Sequence, residues 1–199
     1  MHRIFESRRG FTMIEILAVL GIIAVLAAVL TPSVVKHISD AKVSRAEHDV
    51  EAIATALSSF YKDLGRWPTD TDGDHSPGDQ EVALLVTDEG DMPDFGKQAT
   101  SWGAYSPQET FKNQLLYNRP GGKGKNKYPN QGSRKWDGPY LMRFKSDPWG
   151  HKYICNIGDV RPGQSGPIWV ISAGPDGILD TKPSRYELRN DDIGILLEG

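Results

Sequence analysis

The sequence predicts an α+β fold in which one long N-terminal helix, apolar in its first half and amphipathic in its second, packs on a small antiparallel β-sheet with long loops. Three observations predict it. An apolar run extends from Phe11 to Val35 with a single carboxylate, Glu15, inside it. Helical periodicity then continues: Val50, Ile53, Ala54, Leu57, Phe60, Tyr61 and Leu64 recur at steps of three and four, while Arg45, Glu47, Asp49, Glu51 and Lys62 take the other faces. The last third breaks into short apolar segments separated by turn residues, and strands that follow a long helix indicate separate α and β layers.

Before the apolar run stands a short basic leader, His2, Arg3, Arg8 and Arg9 against Glu6, ending in Gly10. Ile14 to Leu30 is close to the roughly 20 residues that cross a bilayer, and the basic flank sets a cytoplasmic N-terminus and an external C-terminus. A carboxylate at bilayer depth costs roughly 2 to 3 kcal/mol or more and is kept where a partner neutralises it. An N-terminal amine suits that role. A secretory signal peptide cut among Ala24, Ala27 and Ala28 would leave Gly10-Phe11-Thr12 and Glu15 unexplained.

This stretch resembles the prepilin-type (class III) leader of type IV pilins and type II secretion pseudopilins. The resemblance implies cleavage between Gly10 and Phe11 by a prepilin peptidase, N-methylation of Phe11, and a filament-assembly role for Glu15, which would neutralise the methylated amine of a neighbour's Phe11. It also implies that the anchor later leaves the bilayer for a filament. Without the leader's three arginines and one glutamate the chain's net charge falls from -3 to about -5, so no basic nucleic-acid footprint is expected overall. Cys155 is the single cysteine, which forbids an intrachain disulfide in an oxidising compartment and makes a metal a plausible substitute.

The amphipathic helix should end at Gly65, a C-cap, with Pro68 as a stop. Phe11 to Leu64 would span about 80 Å at 1.5 Å per residue. Pro32 is expected to kink it, or to melt it locally in a filament, because it lacks an N–H and crowds the preceding turn. Beyond Pro68 lies a loop-rich stretch. Val82 to Val86 suits a strand or a helical turn, and Trp102, Tyr105, Phe111, Leu115, Leu116 and Tyr117 suggest packing rather than a free tail. Gly121-Gly122-Lys123-Gly124-Lys125 lacks the lysine-serine or lysine-threonine ending and preceding strand of a phosphate loop, and reads as a solvated loop. Strands are expected at Tyr140 to Phe144, Lys152 to Ile157 and Ile168 to Ser172, divided by Asp147-Pro148-Trp149-Gly150 and Arg161-Pro162-Gly163.

At these residues the resemblance narrows. Trp136-Asp137-Gly138-Pro139-Tyr140-Leu141, Asp147-Pro148-Trp149-Gly150 with Tyr153, Ser172-Ala173-Gly174-Pro175-Asp176-Gly177 and Asp191-Asp192-Ile193 are similar to the C-terminal half of the type II secretion major pseudopilins. Leu64-Gly65-Arg66-Trp67-Pro68-Thr69 matches that family's helix end. The resemblance thus implies a type IV pilin-like fold with these parts: leader 1–10, transmembrane and filament-core helix 11–35, amphipathic helix and turn 36–69, a family-atypical insert 70–135, and sheet plus calcium-type loop 136–199. It carries a structural calcium site onto Asp176 and onto the pair Asp192 and Asp191, with Asp180 a weaker candidate that can converge with them. Calcium is held by six to eight oxygens, so clustered carboxylates and carbonyls are the donors it needs. Asp70, Asp72, Asp74 and Glu81 follow EF-hand ligand spacing, but His75 stands where that loop has glycine, so a second metal site there is the weaker reading.

No Ser/His/Asp or Cys/His motif supports an enzyme. Cys155 lies inside an expected strand as a buried thiol. The resemblance implies instead a subunit of a type II secretion pseudopilus. It would polymerise from the bacterial inner membrane into a periplasmic filament that drives folded proteins through an outer-membrane secretin. Its partners would be further copies of itself, minor pseudopilins, an assembly platform with a cytoplasmic ATPase, the prepilin peptidase, and the cargo and secretin. The rival is a type IV pilin of an extracellular filament for adhesion, motility or electron transfer.

Overall fold

The computed structural model describes residues 10–71, 82–96, 101–143, 145–160 and 166–197. The chain forms two compact units, Met1–Ala41 and Lys42–Gly199. Helix α1, Met13–Leu64, contributes to both. In the first unit every described residue is exposed, including Ile14, Leu17, Leu20, Ile23, Leu26 and Leu30. This apolar surface has no protein partner among the described residues, and the helix carrying it is long and apolar enough to cross a membrane. Helical geometry runs unbroken through Pro32. The proline removes one N–H donor, and the Thr31 hydroxyl, one residue earlier, donates to the Ala27 carbonyl at 2.6 Å.

The second unit is organised by a four-stranded antiparallel meander, β1 Leu85–Val86, β2 Ile154–Cys155, β3 Ile168–Ser172 and β4 Ile193–Leu197, in the spatial order 1-2-3-4. Successive side chains point to opposite faces, so each strand feeds two cores. Leu85, Cys155, Ile168, Val170 and Leu197 pack with Val50, Ile53, Leu57, Phe60 and Leu64 of α1. Leu84, Val86, Ile154, Trp169 and Ile171 pack with Trp102 and Leu179 on the other side. A sheet covered on both faces explains why β3 reads as a continuous apolar run, with all five residues buried.

Three elements differ from the sequence expectation. Residues 140–143 form no strand, because Tyr140 donates its N–H to the Leu115 carbonyl (2.9 Å) while its ring meets Phe60 edge-on at 5.5 Å. The segment is thereby held on the helix side, off the sheet edge. The expected strand at 152–157 shrinks to two residues and turns into the 3-10 segment Ile157–Val160. β4 is an additional strand, whose glycine and mixed burial blur its alternation in sequence.

The stretch 70–135 is built into the unit. It supplies β1, the short π-helix α2 (Lys112–Leu116), and the buried Trp102, Phe111 and Tyr128. Gly65 ends α1 at φ +69°, its N–H donating to the Tyr61 carbonyl at 2.7 Å, as a left-handed C-cap requires.

Glu109 is 8% exposed, and its buried Oε2 has no hydrogen-bond partner. Burial, then the negative charge of Asp70, pushes its carboxyl up from 4.5 to about 7. The folded state therefore holds a proton that the unfolded chain releases. No stability is lost below about pH 4.5; stability then falls as pH rises towards 7, and the loss is complete above it. Glu109→Gln is expected to raise Tm by roughly 3 to 6 °C at pH 8 and to leave it unchanged near pH 4, read by melts of the detergent-solubilised chain at both values.

Candidate functional site

Two places carry functional side chains. At the N-terminus, Gly10 and Phe11 lie outside any regular element just before α1, and Phe11 is 83% exposed. Thr12 and Glu15 form a reciprocal cap. The Glu15 N–H donates to Thr12 Oγ1 (3.3 Å), and both the Thr12 N–H and its hydroxyl donate to Glu15 Oε2 at 2.9 Å. This is a capping box, and the Thr-x-x-Glu spacing that announces it is legible in the sequence. The carboxylate thus has a local partner in the single chain, apart from the neighbour's amine that the resemblance implies.

At the C-terminus the loop between β3 and β4 folds back on itself. The Asp176 N–H donates to Asp191 Oδ2 (3.1 Å), the Ile178 N–H to Asp176 Oδ1 (2.8 Å), and Asn190 Nδ2 to Asp180 Oδ2. These bonds bring carboxylate oxygens of Asp176, Asp180 and Asp191 within 4.8 Å of one another. Asp192 is turned inward: its Oδ2 accepts from the N–H groups of Asp180 (3.0 Å) and Thr181 (2.6 Å), and its buried Oδ1 has no partner. Burial pushes the Asp192 carboxyl up to about 6 despite the hydrogen bonds from Thr181 and Asp180. So Asp176, Asp180 and Asp191 gather, whereas Asp192, expected from the sequence among the ligands, lies outside that cluster and braces the loop through the Asp180 and Thr181 amides.

A buried junction fixes where this loop starts. Asp147 is 3% exposed; its Oδ1 accepts from the N–H groups of Trp149 (3.0 Å) and His151 (2.8 Å), and its Oδ2 from the Ser172 hydroxyl (2.6 Å). Ser172 Oγ in turn accepts from the Gly174 N–H at 3.1 Å. The Asp-Pro-Trp-Gly turn and the Ser-Ala-Gly-Pro-Asp-Gly turn, separate motifs in sequence, are thus one hydrogen-bonded unit. Gly174 closes it at φ +66°, where a Cβ would stand 2.1 Å from the Asp191 carbonyl oxygen. Asp147→Ala would leave two backbone donors and a hydroxyl unpaired, and is expected to cost about 2 to 4 kcal/mol, read as a lowered urea midpoint with unchanged slope.

Can this set hold calcium? Three hard carboxylates on one loop, each with an oxygen to offer and carbonyls nearby, are the donor type the ion takes. The residues fit. Of the EF-hand-spaced group, Asp70 gives its carbonyl to Gln114 Nε2 at 2.9 Å, and Asp72, Asp74 and Glu81 lie outside the described residues.

An exposed apolar helix led by a capped carboxylate and continued into a small sheet domain defines a membrane-anchored, pilin-like subunit. Residues 7–31 match the prokaryotic N-terminal methylation motif. Residues 33–132 and 125–191 match the type II secretion system protein G family, to which this chain belongs. Among its relatives are the type II secretion system core protein G of Escherichia coli K12, 27% identical over 180 residues, covering 90% of each chain. That of Dickeya chrysanthemi is 29% identical, covering 95% of this chain and 86% of the relative. That of Pseudomonas aeruginosa is 29% identical, covering 86% and 87%. No solved structure matches the chain.

Proposed function

We propose that the chain is the structural subunit of a type II secretion pseudopilus, polymerising from the inner membrane into a periplasmic filament that drives folded proteins through an outer-membrane secretin. The carrying observation is the unpartnered apolar face of α1 joined, in a family member, to a compact sheet unit. Apolar surface of that extent needs lipid in the monomer and other helices in the filament. The extracellular-pilus alternative is not favoured by the family. Minor pseudopilins, an assembly platform with its cytoplasmic ATPase, and the prepilin peptidase complete the machinery in this reading. The family is one of structural subunits, and no step in the proposal requires catalysis by this chain.

Calcium binds in this reading at Asp176, Asp180 and Asp191, with Asp192 organising the loop behind them. When bound, the ion would supply the positive charge that holds the β3–β4 loop closed, in place of a disulfide that Cys155 alone cannot form. The maturation part of the reading is tested by the intact mass of the chain recovered from membranes of its own host. A chain starting at Phe11 and carrying one added methyl group is expected; a chain retaining residues 1–10 would overturn it.

A further inference from the structure

The stretch 70–135 is polarised in charge. From Asp70 to Glu109 it holds ten carboxylates against one lysine, and from Thr110 to Lys135 seven basic residues with no carboxylate. The structure sets Arg134 and the acidic turn at opposite ends of the second unit, while Lys112 of the basic half pairs with Asp88. Arg134 lies against Gly65 at the far end of α1: a Cβ on that glycine would be 3.0 Å from its guanidinium carbon. Lys123, Lys125 and Lys127 are exposed on the loop before it, which is pinned from within. Asn126 Nδ2 donates to the Thr71 carbonyl (3.0 Å), and the buried Tyr128 donates its hydroxyl to Gln114 Oε1 (2.7 Å). None of these lysines, nor Arg134, is in an ion pair among the described residues.

The acidic turn sits elsewhere. Asp91 donates its N–H to the Gly150 carbonyl and its carbonyl accepts from the Lys152 N–H, and a Cβ on Gly90 would meet Ser146 at 2.8 Å. Ser146 is the residue whose carbonyl accepts from Arg45, near the start of the unit (3.2 Å). Arg45 and Gly65 are about 30 Å apart along the helix at 1.5 Å per residue. Glu89 and Asp91 are exposed and in no ion pair among the described residues; Asp88 is paired with Lys112. Arg143 and Lys145 border the same end, so the acidic surface is the turn itself and not the whole end.

We propose that the basic loop around Lys123, Lys125 and Lys127 docks on the acidic turn around Glu89 and Asp91 of a second copy of this chain, as an axial contact between subunits of the filament. The inference rests on the filament reading. A head-to-tail contact between unlike surfaces builds an open helical polymer, whereas like surfaces close into a dimer. Opposite charges on separate surfaces of one compact unit satisfy that requirement. They also fix polarity, since end-to-end reversal would set lysine against lysine. Exposed pairs are individually weak, but the contact repeats at every subunit.

The test uses the full-length chain assembled in its own host, with cysteines placed at Lys125 and Glu89; native Cys155 is fully buried and does not interfere. Mild oxidation of the Lys125→Cys/Glu89→Cys variant is expected to give a ladder of covalent multimers, with neither single variant laddering. Reversal of Lys123, Lys125 and Lys127 to Glu should reduce the sedimentable polymer recovered from lysed cells at least fivefold, and adding Glu89→Lys and Asp91→Lys should restore it. Wild-type filaments with no ladder, or a charge reversal without effect, or one that the paired reversal fails to restore, would overturn the contact while leaving the filament reading intact. Absence of sedimentable polymer from lysed wild-type cells would overturn both.

Discussion

Replacing Glu15 with leucine is expected to leave the chain inserted in the membrane and cleaved after Gly10, yet to reduce filaments to a small fraction of the wild-type amount. Two effects act in the same direction. In the bilayer a carboxylate is a burden of roughly 2 to 3 kcal/mol, only partly relieved by its cap on Thr12, so its removal stabilises the embedded monomer. In the proposed filament the same carboxylate would be the counter-charge for a neighbour's amine, so its removal would leave that amine unpaired among apolar helices. The bilayer effect alone shifts the extraction equilibrium about 30- to 150-fold, at 1.4 kcal/mol per factor of ten. Thr12→Ala removes the cap and keeps the counter-charge, so it should assemble better than Glu15→Leu. Fractionation and sedimentation of polymer from lysed cells decide it, and normal polymer from Glu15→Leu would remove the proposed role.

Saturating calcium is expected to raise the melting temperature of the detergent-solubilised chain by about 10 °C. A ligand that binds only the folded state stabilises it by about 4 kcal/mol at a thousand times its Kd. A unit of this size shifts by roughly 2 to 4 °C per kcal/mol. Asp176, Asp180 and Asp191 supply the charge, so Asp180→Asn, which keeps the side-chain shape, should lose most of the response. Asp192→Asn should lower stability with or without the ion, since Asp192 accepts the Asp180 and Thr181 amides and holds the loop together. Magnesium, which demands a small octahedral shell, should give a much weaker response. No calcium-induced rise, or an undiminished one in Asp180→Asn, would dismiss the clamp.

Much of this was legible in the residues. The spacing from Val50 to Leu64 gave the buried face of α1 except at Tyr61, which is exposed, while Gly65 gave its end and the run around Glu15 the anchor. Periodicity served well there because one face meets a core and the rest meets water. It served poorly at residues 140–143, where aromatic packing on α1 takes the place of strand pairing, and at Ile193–Leu197, where burial is mixed. The acidic loop was legible as a composition but not as a geometry. Which of four aspartates converge depends on backbone donors at positions 176, 178, 180 and 181, and nothing in the one-dimensional pattern assigns them. The bond from Asp147 to Ser172 spans 25 residues and was equally hidden. The two-sided core was hidden too, because Trp102 covers the second face of the sheet from within a stretch that reads as loop.

The most direct test of the secretion role is deletion of this chain's gene in its own host, followed by comparison of proteins in the culture medium and in the periplasm. A pseudopilus subunit predicts that a set of folded proteins disappears from the medium and accumulates in the periplasm, with export restored by the wild-type chain and not by Glu15→Leu. Unchanged export, accompanied by loss of surface filaments or of none, would contradict it.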